Sequence, residues 1–199
     1  MHRSIVLKHL ENSIKGEEKT AIAYAYFKHD FQEQQTPAAI ISSFIKQICL
    51  DSRIPEFLID FYRKFDNNLE NPSIDDYISQ YQWLIKAFDK VFLVIDALDE
   101  CKESYREDIL SFFSDILQAH ACIKIFVTSR KEEDIENAFS SQQTPVIPIE
   151  AREVRKDIEV FVRGRVQEFV QTKKLYISTA ELKEEVISTL INGAEGMFV

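Results

Sequence analysis

The stretch KVFLVIDALDE, Lys90 to Glu100, drives five apolar residues, Val91 to Ile95, straight into acid. Asp96 follows the apolar run at once, and Asp99 and Glu100 come shortly after it. An acid in the place of Asp96 is poorly solvated unless it meets a cation. The fitting cation is Mg²⁺ bridging phosphate oxygens. A second acid nearby, Glu100 or Asp99, can orient or deprotonate an attacking water. A second stretch, KIFVTSR, Lys124 to Arg130, has the same form. Its apolar run ends in Thr128, Ser129 and Arg130, groups able to sense a γ-phosphate. Each motif also has a plain structural reading, because acids cap helices and solvate turns and an arginine after a strand is often only solvated. The two motifs, one helix apart, are worth more together than separately.

Both motifs need a sheet that presents its strand ends on one side. Ala21–Phe27, Val91–Ile95, Lys124–Val127 and Val146–Ile149 read as buried strands, the last at an edge because of Pro148. Helical patterns fill the intervals: Ser4–Ile14, a helix opened by Thr36 and Pro37, Pro55–Phe65, a helix capped by Ser73 with Asp76 behind it, Ser104–His120 and Glu132–Phe139. Asp66 to Pro72 reads as a polar loop. The alternation predicts an α/β fold, a parallel sheet with flanking helices, whose ligand lies beyond the carboxyl ends of the strands. After about residue 150 the pattern turns all-helical, Arg152–Phe169 and Ser178–Ile191, so a core of 1–150 and the start of a helical subdomain at 151–199 are expected. Trp83, Phe112, Phe113, Phe161 and Phe169 are expected in the core, and the acids of Lys131–Glu136 at a solvated helix start.

The 199 residues carry a net charge of −9, which argues against non-specific binding to nucleic acid or an anionic membrane. No apolar run is long enough to cross a bilayer. Cys49, Cys101 and Cys122 include no CxxC, and the four histidines show no metal-ligand spacing. A reduced, cytoplasmic protein is expected.

VFLVIDALDEC, KIFVTSR and VIPIEAREVRKDIEVFVRGRV together resemble the NACHT class of STAND NTPases, in the nephrocystin-type N-terminal form of large, mostly fungal, NOD-like proteins. AYFKHDFQEQQTP, Ala25 to Pro37, resembles that class's second strand and turn, and GAEGMFV, Gly193 to Val199, the approach to a winged helix. The resemblance implies an ATP or GTP switch with Mg²⁺, slow hydrolysis and self-association through the NTPase domain. It also implies a signalling parent with an N-terminal effector and C-terminal ankyrin, WD or TPR-type repeats. By motif, Asp96 is the Mg²⁺ acid (Walker B), Glu100 the water-orienting residue, Asp99 the extra acid, and Arg130, with Thr128 and Ser129, the γ-phosphate sensor.

The phosphate loop of that class, GxxxxGKS/T, is not found in these residues. Gly16-Glu17-Glu18-Lys19-Thr20 ends in KT, but lacks the second glycine, follows a helix and would repel phosphate. In the class, the strand before the loop lies between those assigned to Lys124–Val127 and Val146–Ile149. Its absence implies a gene fragment or a mis-called start, and weak or no nucleotide binding by these residues alone. A rival reading is a non-hydrolysing interaction or scaffold module that keeps the fold. A metal-dependent phosphatase ranks lower, since such enzymes of the DxD kind need acids two apart, whereas Asp96 and Asp99 are three apart.

Overall fold

The computed structural model describes residues 4–50, 54–68, 71–140, 144–148 and 151–194. The chain divides into two compact units, Met1–Thr144 and Pro145–Val199. In the first, β1 (Thr20–Tyr26), β2 (Lys90–Asp96) and β3 (Ile123–Val127) form a parallel sheet in that order. Parallel neighbours cannot be joined by a hairpin, so helices fill the crossovers. α1 (Ile5–Ser13) precedes β1, while α2 (Pro37–Cys49), α3 (Glu56–Asn68) and α4 (Ile74–Ile85) lead from β1 to β2. α5 (Glu103–Ala119) leads from β2 to β3, and α6 (Glu133–Ser140) follows β3. The expected α/β architecture is the one observed.

Local chemistry starts the helices where the sequence indicates. Thr36 Oγ1 accepts the Ala39 N–H at 3.2 Å, with Pro37 opening α2. Ser73 and Asp76 complete a capping box, the Asp76 N–H donating to Ser73 Oγ at 3.2 Å and the Ser73 N–H to Asp76 Oδ2 at 2.9 Å. The Ser73 hydroxyl and N–H together hold the Asp76 carboxyl below its usual range.

One sheet face carries the core. Every second residue of β1, Ala21, Ala23 and Ala25, is a buried alanine, small enough to let α2 settle close with Ile40, Ile41 and Phe44. Val91, Leu93 and Ile95 continue that face across β2. Tyr81 of α4 stands edge-on to Phe112 of α5, ring centres 5.3 Å apart. Burial pushes the Tyr81 phenol up, and its hydroxyl has no partner among the described residues.

The outer edge of β1 is closed by side chains. Gln47 accepts the Tyr24 N–H at 3.0 Å and donates Nε2 to the Tyr24 carbonyl at 2.9 Å, so its carboxamide takes the place of a neighbouring strand. Gln35 Nε2 donates to the Tyr26 carbonyl at 2.7 Å.

Several expectations are corrected. No strand forms over Val146–Pro148, where Val146 and Ile147 are exposed; Ile149 lies outside the described residues. A strand needs a ladder to join, and these residues have none. β3 is an alternating strand rather than a wholly buried one, with Ile123 buried and Lys124 and Phe126 exposed. α3 continues past Phe65 through Asn68, into the expected polar loop, because no proline or glycine interrupts the helix there. Trp83 is 62% exposed, its ring covered by the Lys86 ammonium at 4.1 Å rather than by the core. Phe112 and Phe113 are buried as expected, but Phe161 is 47% exposed and Phe169 half-buried.

In the second unit, α7 (Ala151–Gln171) and α8 (Ala180–Gly193) pair antiparallel. Arg155 meets Asn192 at 3.0 Å, Arg163 meets Glu184 at 2.9 Å and Lys183 meets Gln167 at 2.6 Å. Thr179 caps α8, its Oγ1 accepting the Leu182 N–H at 3.2 Å. Of the closing GAEGMFV stretch, residues 195–199 lie outside the described residues.

The difference between Phe112 and Trp83 is measurable. Phe112→Ala is expected to lower unfolding free energy by about 3–5 kcal/mol. Trp83→Ala, at an exposed position, is expected to change it by about 0.5 kcal/mol or less. Urea denaturation of both variants checks this, and equal losses would contradict the packing described.

Candidate functional site

Register brings the two motifs together. Ile95 lies opposite Val127, so the next residue on each strand, Asp96 and Thr128, are neighbours at the carboxyl end of the sheet. Thr128 donates its hydroxyl to Asp96 Oδ1. Thr128 Oγ1 in turn accepts the Ala97 N–H at 3.0 Å, and the Thr128 carbonyl accepts the Leu98 N–H at 3.0 Å. The chain must turn sharply here to bury Leu98, and Ala97 does so in the left-handed region, φ 56° and ψ 51°. For a residue with a Cβ this conformation costs roughly 1–2 kcal/mol. Thr128 and the buried Leu98 hold it in place.

A short 3-10 turn, Leu98–Glu100, then delivers the two other acids. Asp99 is only 9% exposed in its side chain and faces β3: Oδ1 accepts the Arg130 N–H at 3.0 Å, and Oδ2 lies 3.5 Å from Arg130 Nε. Because the Arg130 side chain is 72% exposed, that ion pair is worth about 0–1 kcal/mol, and the main-chain bond is the stronger tie. Glu100 faces the other way. Its Oε2 accepts the His29 N–H at 3.1 Å and its carbonyl accepts Gln32 Nε2 at 2.8 Å. Ser129 is exposed, and its hydroxyl donates to the Arg130 carbonyl at 2.7 Å.

Asp96, Asp99, Glu100, Thr128, Ser129 and Arg130 thus share one end of the sheet. Asp96 Oδ2 has no partner among the described residues, so this half-buried carboxylate keeps an oxygen for a cation. Among those residues no cluster of three or more metal-ligating side chains forms. One acid completed by phosphate oxygens and water suits Mg²⁺, which seldom takes an all-protein cage. Gly16–Thr20 lies at the opposite end, leading into β1, where Gly16 turns with φ 96°. Glu17 there accepts from the Thr20 hydroxyl at 2.8 Å and from Lys90 Nζ at 3.1 Å, bonds that lower its pKa, the Thr20 bond foremost.

Two neighbours of the site were not legible as such. His29 and Gln32 meet Glu100 only through folding, and nothing in their spacing points to it. Arg106 did leave a signal: it falls on the apolar stripe of α5, three residues before Ile109. It is 8% exposed, and its Nε lies 3.0 Å from Asp134 Oδ2 at the start of α6. The approach is that of an ion pair without good hydrogen-bond alignment, and Nη1 has no partner among the described residues. Cys101 is a packing residue, its thiol pushed up to about 11 by burial. An open cavity of about 590 Å³ between α5 and α6, lined by Glu103, Glu107, Asp115 and Asp134, shares no residue with the cluster at the strand ends.

The family model for nephrocystin 3, N-terminal, matches residues 2–130, more than half of the chain. The chain belongs to the nephrocystin 3 N-terminal family. The matched segment takes in the sheet and ends at Arg130, so all six candidate residues fall within the family region. Among the curated proteins none matches. No helix among the described residues is long and apolar enough to cross a membrane.

The double duty of Thr128 gives a direct test. Thr128→Val removes the hydroxyl from both Asp96 and the Ala97 N–H, and is expected to lower stability by about 1–3 kcal/mol. Thr128→Ser keeps the hydroxyl and is expected to retain most of that. The midpoint and slope of urea unfolding decide between these outcomes.

Proposed function

We propose that this chain contributes the Mg²⁺-binding and sensor side of a NACHT-type nucleotide switch, taking ATP or GTP, in a NOD-like signalling protein. The observation that carries the reading is the meeting of Asp96 and Thr128 at the carboxyl end of a parallel sheet, the place where such folds bind ligands. Membership of the nephrocystin 3 N-terminal family supports it. Asp96 is the residue for the Mg²⁺, which when bound neutralises charge on the phosphate oxygens. Arg130, mostly exposed beside Asp99, is the candidate for meeting a terminal phosphate. Glu100 is the candidate for orienting the attacking water. The partners that follow are the nucleotide, further copies through the NTPase domain, and effector and repeat domains of the parent.

A second reading, a non-hydrolysing interaction or scaffold module, is favoured by one observation. The carboxylates of Asp99 and Glu100 both accept main-chain N–H groups of neighbouring loops, which is a structural employment.

Titration with a fluorescent ATP analogue and Mg²⁺ separates the readings. These residues alone contain no GxxxxGKS/T and are expected to bind weakly or not at all; submicromolar saturable binding would overturn that expectation. With an apolar strand and GxxxxGKS/T joined ahead of α1, binding is expected to appear, and Asp96→Asn to weaken it. In the same protein Glu100→Gln is expected to leave binding largely intact and slow phosphate release by roughly 10²–10⁴-fold. If Asp96→Asn changes nothing, the scaffold reading stands instead.

A further inference from the structure

We propose that Glu100 is a positioning residue whose carboxylate fastens the loop after β1, residues 27–36, to the turn after β2, making that loop a wall of the site. The carrying observation is how the loop is held. Between Phe27 and Pro37 no side chain is buried, and even Phe31 is exposed. Phe27 anchors the base of the loop in the core, and beyond it the loop keeps its place through polar ties. Gln35 fixes its base, with Nε2 on the Tyr26 carbonyl at 2.7 Å and Oε1 accepting the Lys28 N–H at 3.0 Å. Its tip, the 3-10 turn His29–Phe31, is tied to Glu100. The His29 N–H donates to Glu100 Oε2 at 3.1 Å, and Gln32 Nε2 donates to the Glu100 carbonyl at 2.8 Å.

A third tie, Lys102 Nζ to Glu33 Oε1 at 2.7 Å, is an exposed ion pair and adds little. The bond from the His29 N–H is charge-assisted, and so among the stronger of the set. It engages one oxygen only: Glu100 Oε1 has no partner among the described residues. Holding Oε2 on His29 therefore orients the carboxylate and leaves Oε1 without a partner among the described residues. This deepens the proposed function and rests on it for the meaning of the site, but the tie itself exists in the protein without nucleotide.

Amide hydrogen exchange of the nucleotide-free chain, read by mass spectrometry on peptides covering residues 28–35 and β2, tests the proposal. Glu100→Ala is expected to speed exchange in 28–35 by about tenfold while leaving β2 unchanged. Glu100→Gln, whose amide oxygen accepts the same N–H, is expected to restore most of the protection. His29→Pro removes from the loop side the N–H that the carboxylate accepts and is expected to raise exchange in the same peptide, which keeps the test open should Glu100→Ala fail to fold. Unchanged exchange in 28–35, loss spread equally into β2, or a Glu100→Gln variant as fast as Glu100→Ala would each overturn the proposal. A failure to bind nucleotide would leave these results standing and count only against the nucleotide reading.

Discussion

Thr128 serves two partners at once, and the site depends on it. A strand that ends must find partners for its last main-chain groups, and a sharp turn takes them out of reach of the ladder. At the end of β2 that group is the Ala97 N–H, held in a left-handed conformation a residue with a Cβ resists. The Thr128 hydroxyl accepts this N–H and donates its own hydrogen bond to Asp96. One side chain on β3 thereby satisfies the turn on β2 and orients the first acid of the site. The strain at Ala97 has a visible return: it drives Leu98 into the core, which places Asp99 and Glu100 on opposite sides of the turn.

From that turn the ties run outward in both directions. Asp99 secures the segment after β3, and Glu100 the loop after β1. The turn after β2 is thus the middle member of three adjacent strand ends, as β2 is the middle strand. Any change that shifts it is felt on both sides. The same logic governs the sheet edge. Gln47 places a carboxamide where a fourth strand would pair with β1, satisfying the main chain of Tyr24.

Much of the fold was legible because its signals are local. Thr36-Pro37, Ser73 with Asp76, and the apolar runs of Val91–Ile95 and Ala21–Phe27 specify caps and strands through chemistry within a few residues. The errors fell where burial depends on distant neighbours. Trp83 sits among apolar residues in sequence yet lies outside the core, and Val146 to Pro148 has a strand's composition without a ladder. Neither outcome can be read from composition, since a side chain's burial and a strand's pairing are properties of what lies across from it.

The candidate site divides in the same way. Residue types and the apolar run before each group follow from the sequence alone, and with them the emergence of Asp96 and Thr128 at the same end of a parallel sheet. Period and spacing carry that much because strand direction follows from the alternation of strands and helices. The register that sets Asp96 beside Thr128, and the engagement of Asp99 with Arg130 and of Glu100 with His29, come from long-range packing. Those pairings span 31 and 71 residues of chain, and hydrogen bonds act over about 3 Å, so only the packed sheet could bring the partners within reach.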